Sequence, residues 1–262
     1  MKALTTVVSG AVMAMALAAS AAPVQAAVIA QFSPDSSAKD FRWINSGASD
    51  TGTGGHLFSI ATQTSTVAQG VATHFSFLDP SLAVFAFIPA TFTLDATVAS
   101  GHPATVSGAG VWTQTNLNGG FSFVYTGATI NNFGGSGINL IHNSNLLSGV
   151  FTDAWIQGAG GSGSFNLAGV NGGVASYASD YRSFANVAPG SEEFAFNLLG
   201  ASPHFGAKPG KAMKSFRANG GGNFSAEAVP EPAAWGLMIV GFGGIGVAIR
   251  NNRRRLALAA TA

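Results

Sequence analysis

The side chains best suited to acid–base or metal chemistry are five histidines, His56, His74, His102, His142 and His204. Their spacing supports neither role. No two stand in a ligand spacing such as His-x-x-x-His, and the chain has no cysteine to complete a zinc site. His74 is near Asp79, but Asp79-Pro80 reads as a turn. Ser136 and Ser162 sit among glycines, yet neither completes Gly-x-Ser-x-Gly, because Ile138 and Ser164 hold the last position. A nucleophile elbow also needs a helix after the serine, and none is expected there. Gly158-Ala-Gly-Gly-Ser-Gly163 fits Gly-x-Gly-x-x-Gly, but it leads into a strand, so its glycines read as turn residues and not as a phosphate cradle. The glycine loops also lack the regular Asp of calcium-binding nonapeptide repeats. Glu192-Glu193 is the one adjacent carboxylate pair. Neighbours on a strand point to opposite faces, whereas a glycosidase pair must converge at about 5–10 Å. Trp43, Trp112 and Trp155, with Tyr125, Tyr177 and Tyr181, suit either a sugar-stacking face or an aromatic core, and the core reading is favoured. The sequence nominates no catalytic residue, no cofactor and no metal.

The elements that would position these groups are short strands. Val28 to Phe32, His56 to Thr66 and Gly70 to Leu78 are expected to be extended, with Val71, Thr73, Phe75 and Phe77 sharing one face, and Asp40 to Ile44 is a further apolar patch. Leu82 to Ile88 is densely apolar and is expected to end at Pro89. Phe92, Leu94, Ala96 and Val98 alternate with polar residues. Val111 to Thr115 and Phe121 to Tyr125 read as two strands joined by a turn over Asn116 to Gly120. Leu147 to Gln157 sets Val150, Thr152, Ala154 and Ile156 against Phe151, Asp153 and Trp155. Ser164 to Leu167, Ser191 to Leu199, Ala212 to Arg217 and Asn223 to Glu227 complete the series. Runs of this length, punctuated by turns, predict an all-β fold, a single sandwich/jelly-roll-like domain. No fixed-period repeat points to a solenoid.

Composition agrees. Residues 27–229 hold seven basic and ten acidic side chains, although the whole chain is formally +1. That body offers no basic excess to follow a phosphate backbone, so nucleic acid is not an expected partner. Its 35 glycines in the full chain would penalise long helices by about 1 kcal/mol each. The 20 phenylalanines of the full chain are too many for a disordered tract. Without cysteine, the body must be held by burial alone.

Both ends read as targeting segments. Met1-Lys2 is a short basic start, Leu4 to Ala18 an apolar stretch, and Val24-Gln25-Ala26 places small residues at −3 and −1. Residues 1–26 are therefore expected to be a signal peptide cut between Ala26 and Ala27, leaving 27–228 as a β-rich extracytoplasmic domain. At the other end, 233–249 is a run of 17 uncharged residues, short but sufficient for a transmembrane helix. Pro230 and Pro232 precede it, Trp235 suits the interface, and Arg250, Arg253, Arg254 and Arg255 follow. Flanking arginines stay cytoplasmic, which orients the span with its N-terminal end outside.

Pro230-Glu231-Pro232-Ala233-Ala234-Trp235, then the span, then the arginines, resembles the PEP-CTERM sorting signal of Gram-negative bacteria, in its Pro-Glu-Pro-x-x-Trp form. Gly236 departs from the usual Ala, and Leu256 to Ala262 extend past the arginines. The resemblance implies that residues 229–255 are a substrate for an exosortase, a membrane-embedded cysteine protease that cuts near Pro-Glu-Pro. It also implies an inner-membrane precursor, delivery to the cell surface or exterior, and association with exopolysaccharide or biofilm. The expected protein is a non-enzymatic, exported surface or matrix protein. A secreted glycan hydrolase or a lectin-like module carrying the same signal is the alternative.

Overall fold

A computed structural model describes residues 26–35, 38–82, 84–168, 172–188 and 190–227, together with residues 242 and 250. It divides into two units, Met1–Glu227 and Ala228–Ala262. Strands dominate the first: β1 (Ala27–Pro34), β2 (Phe41–Asn45), β3 (Gly55–Ser59), β4 (Val71–Phe77), β5 (Ile88–Val98), β6 (Thr105–Val106), β7 (Trp112–Tyr125), β8 (Asn145–Ala159), β9 (Ser162–Leu167), β10 (Val174–Ala178), β11 (Glu193–Ser202), β12 (Phe216–Asn219) and β13 (Gly222–Ala226). Short 3-10 turns at Ala48–Asp50, Pro80–Leu82 and Phe133–Gly135 are the remaining regular elements there. No helix among the described residues is long and apolar enough to cross a membrane.

The all-β expectation holds, and all pairings between these strands are antiparallel. The network branches at two long strands. Along one edge β5 pairs with β7; along the other it meets β4 through Ile88–Phe92 and then β3 through Asp95–Val98. β11 repeats the device, with β9 on one edge and β13, then β12, on the other. One path, β5-β7-β8-β9-β11, is thus closed by two alternative ribbons, β4-β1-β13 and β3-β2-β12. Among the described residues closure leaves only β6 and β10 paired on a single side, and free edges in an open sheet template association.

The interior is built from phenylalanine. Phe32 on β1 lies with its ring centroid 4.9 Å from Phe92, 5.0 Å from Phe123 and 5.1 Å from Phe196. β1 does not pair with the strands that carry those three rings, so the contacts cross the interior. Phe121 and Phe224 meet in the same way at 4.8 Å. Offset and edge contacts of this kind add about 0.5–1.5 kcal/mol each beyond simple burial.

The segmentation differs from expectation in several places. β5 begins at Ile88 and runs through Pro89, which sits where a missing N–H is tolerated, at the start of a strand. Asn116 to Gly120 is not a turn: β7 is continuous over 14 residues. Asn116 adopts φ +61° and Asp153 on β8 φ +57°, and the pairing register shifts on both sides of Leu117↔Ala154. The Asp153 N–H donates to Asn118 Oδ1 at 3.2 Å. Each bulge switches the face its strand presents. On β8, Leu147 and Phe151 point inward before the bulge and Ala154 and Ile156 after it, so Val150 and Thr152 are outside. A strict period of two cannot follow such a switch. His56 to Thr66 is extended only to Ser59, after which the chain turns back and the Gln69 side chain accepts the N–H groups of Ala61 and Thr62. Ala212 to Arg217 is a strand only from Phe216. β10 has no counterpart among the expected strands.

Gly158 to Gly163 proves to be a hairpin with a steric purpose. Ala159 pairs with Ser162 across Gly160-Gly161, and Gly160 adopts φ +57°. A Cβ on Gly158 or Gly163 would come within 2.6 or 2.7 Å of the Phe205 ring, so these two glycines make room for it.

Candidate functional site

The chain enters and leaves the first unit at one place. β1 and β13 are neighbours, and Ala27 pairs with Ala226. Ala26, the residue before the expected signal cleavage, is exposed, and Ala27 opens β1. After β13 the last described backbone of the unit is clamped. Glu227 N–H donates to Ser191 Oγ at 3.1 Å, and the Glu227 carbonyl accepts from Ala188 N–H at 2.8 Å. The expected processing motif begins three residues later. Pro230, Glu231, Pro232, Trp235, Arg253, Arg254 and Arg255 lie outside the described residues, as does the expected span apart from Phe242, a helical position. Arg250 is helical and exposed.

The histidines are dispersed. His56 Nε2 is 2.7 Å from Asp95 Oδ1, and His74 Nδ1 is 3.3 Å from Asp35 Oδ1. His102 Nδ1 meets Asn116 Nδ2 at 2.9 Å, and His142 Nδ1 meets the Gly127 carbonyl at 2.9 Å. Asp79, near His74 in sequence, is instead the partner of Arg182. Among the described residues no group of His, Asp and Glu is arranged to hold a metal ion. Glu192 is buried and precedes β11, whose first residue is Glu193. Asp40 is the one described carboxyl pushed strongly toward its neutral form. Burial raises it to about 6, and its Oδ2 has no hydrogen-bond partner.

The aromatic set divides. Trp43 is fully buried and donates Nε1–H to the Met213 carbonyl at 2.9 Å. Tyr125 and Tyr177 are buried, their hydroxyls donating to the carbonyls of Ala128 and Glu193. Burial raises the pKa of both phenols; a second, smaller contribution comes from Tyr181 for Tyr125 and from Glu192 and Glu193 for Tyr177. These three are core residues. Trp112, Trp155 and Tyr181 are half-buried.

Two of several concave outward faces carry Phe87 and a pair of arginines. On β4-β1-β13-β11 a groove of about 440 Å³ is lined by Gln31, His74, Asn197 and Asn223, with Phe87 beside it. Phe87 is 69% exposed and adopts φ +57°. A bulky residue in the left-handed region is an outlier that its surroundings must enforce. Its N–H donates to Ser76 Oγ at 2.8 Å and its ring stands 5.0 Å from the His74 ring. No pattern in the sequence marks Phe87, because its exposure comes from backbone conformation. On β2-β12 a groove of about 610 Å³ contains Arg42, Arg217 and Asp50. The two arginines are cross-strand partners, a juxtaposition that only the strand register creates.

No curated protein and no solved structure matches the chain. The family model described as the PEP-CTERM protein-sorting motif matches residues 228–255, directly after the Glu227 clamp. The matched stretch contains Pro-Glu-Pro, the uncharged run and the arginine cluster in that order. The C-terminal segment of this chain is a PEP-CTERM sorting signal, of the kind exosortases process.

Proposed function

We propose that the protein is an exported surface or matrix protein with a sandwich-like β body and no catalytic role. In this reading residues 1–26 are removed after Ala26, and residues 233–249 hold a precursor in the inner membrane. Arg250, Arg253, Arg254 and Arg255 keep the C-terminus cytoplasmic. An exosortase-like protease then cuts near Pro230-Glu231-Pro232 and frees the body, which associates with exopolysaccharide. The observation that carries this reading is the sorting motif over residues 228–255, placed immediately after the last strand of a closed body. Processing there would leave every described strand intact.

A glycan-binding body, as opposed to a purely structural one, is favoured by the Phe87 groove. An exposed ring beside amides and an imidazole supplies a stacking surface and hydrogen-bond groups to one ligand.

The test is the intact mass of the protein recovered outside the cells of its native host, with the membrane fraction measured alongside. A secreted species beginning at Ala27 and ending near Pro230 is expected. A product retaining Trp235 and the arginines, confined to the inner membrane, would replace this reading with a tail-anchored periplasmic protein.

A further inference from the structure

Charge is unevenly spread over the body. Of the seven basic side chains in residues 27–229, six lie in two segments that the β2–β12 pairing joins: Lys39 and Arg42 at β2, and Lys208, Lys211, Lys214 and Arg217 on the β11–β12 connection and β12. The seventh, Arg182, is paired with Asp79. The body as a whole has more acidic than basic groups, so this concentration is local.

Within it, Arg42 and Arg217 are placed directly opposite one another on paired strands. Like charges in that position destabilise a sheet. The Arg42 pKa is lowered, first by desolvation and then by the Arg217 charge. Arg42 spends one N–H on the Ser65 carbonyl. The Arg217 guanidinium makes no hydrogen bond or ion pair to a described side chain or carbonyl, and its Nε is buried without a partner. A guanidinium with an unspent, desolvated donor beside a second guanidinium is an arrangement completed by an anion.

The rest of the groove narrows the class of anion. Ile44 and Ser215 continue the floor beyond the arginines, and Ser202 stands at the side. Asp50 follows; its Oδ1 accepts from both the N–H and the hydroxyl of Ser215, at 2.8 and 2.7 Å. Asp50 Oδ2 takes no hydrogen bond from a described residue. A ligand unit that turned a negative group toward Asp50 would meet repulsion there. A ligand with a carboxylate at one side of a ring, hydroxyls at the other and an apolar ring face between would satisfy Arg42 and Arg217, Asp50 and Ile44 together. We infer that the β2–β12 groove is a binding site for an acidic sugar, a uronate-type residue of a polysaccharide, with Arg42 and Arg217 clamping its carboxylate and Asp50 accepting from its hydroxyls. The inference rests on the matrix reading above only for the ligand's source.

The test uses the full chain in detergent, titrated calorimetrically with an oligogalacturonate and, separately, with a neutral oligosaccharide of the same length. The oligogalacturonate should bind and the neutral oligomer should bind at least 10-fold more weakly. R42Q and R217Q should each lose 10-fold or more, while their melting temperatures stay level or rise because a repulsion is gone. D50N should weaken binding without abolishing it. No binding by the unaltered chain, or equal binding by R217Q, overturns the site. Equal competition by inorganic sulfate, or by an oligonucleotide, overturns sugar recognition in favour of general oxyanion or phosphate-chain binding. The host's own extracellular polysaccharide is titrated in parallel. If R217Q binds both ligands as tightly as the unaltered chain does, the groove inference fails and the matrix reading stands; if the unaltered chain binds neither ligand, both fail.

Discussion

Ala27, the first residue of β1, pairs with Ala226, the last of β13, so the points where the expected signal peptide and the sorting signal join the body are cross-strand neighbours. β1 also pairs with β4, and β13 with β11. The strands at both junctions are therefore interior members of the sheet. Trimming into β1 or β13 would remove ladder hydrogen bonds, and every described strand pairing lies between Ala27 and Ala226.

Phe32 measures how far β1 matters. It contacts rings on three strands that do not pair with β1 and is buried. Phe32→Ala should cost about 3–5 kcal/mol, the usual range for deleting a core ring. Urea unfolding followed by tryptophan fluorescence checks this. A loss below about 1 kcal/mol would mean that β1 is not packed across the interior.

The paired bulges make a prediction of opposite sign. Asp153 adopts φ +57° on an exposed stretch of β8. Asp153→Gly should leave the body as stable or up to about 1 kcal/mol more stable, since glycine reaches this conformation without strain. Asp153→Val should destabilise by about 1–2 kcal/mol, because a branched Cβ resists it. Thermal melts of the two variants would read the difference, and equal melts would argue against a bulge there.

Asp40 predicts the pH dependence. Its folded pKa is raised from 3.8 to about 6 by burial. A raised carboxyl pKa means the folded state binds the proton more tightly. The associated stability is fully present below about pH 4 and is lost as pH rises through about 6. Asp40→Asn should therefore stabilise the protein by roughly 1–2 kcal/mol above pH 7, allowing for solvent screening, and make little difference below pH 4. Denaturant titrations at pH 3.5, 6 and 8 test this; a pH-independent difference would refute it.

Phe87 separates stability from binding. Its ring is exposed and its backbone strained. Phe87→Gly should leave stability unchanged or raised by about 1 kcal/mol. If the β4-β1-β13-β11 groove takes a glycan by stacking, the same variant should lose 10-fold or more in affinity for the host polysaccharide in affinity electrophoresis. Unchanged mobility would assign the exposed ring no part in glycan binding.

The sequence by itself determined the address and the class of fold. Pro-Glu-Pro, the uncharged run and the arginines are contiguous, so local order carries the whole signal. The β class was equally legible, since sparse charge, abundant Gly and alternating phenylalanines are local properties, and Phe92 to Val98 alternates in the fold as it does on paper. The tertiary structure alone decided the rest. The bulges at Asn116 and Asp153 reverse which residues face the core, and a period of two carries no information about a left-handed residue. The closure of β5 and β11 by two ribbons depends on pairings between strands far apart in the chain. Arg42 and Arg217 are separated by most of the body and became neighbours only through register. Targeting signals are read by other proteins as linear chain, whereas a binding surface is assembled by contacts that only the folded chain makes.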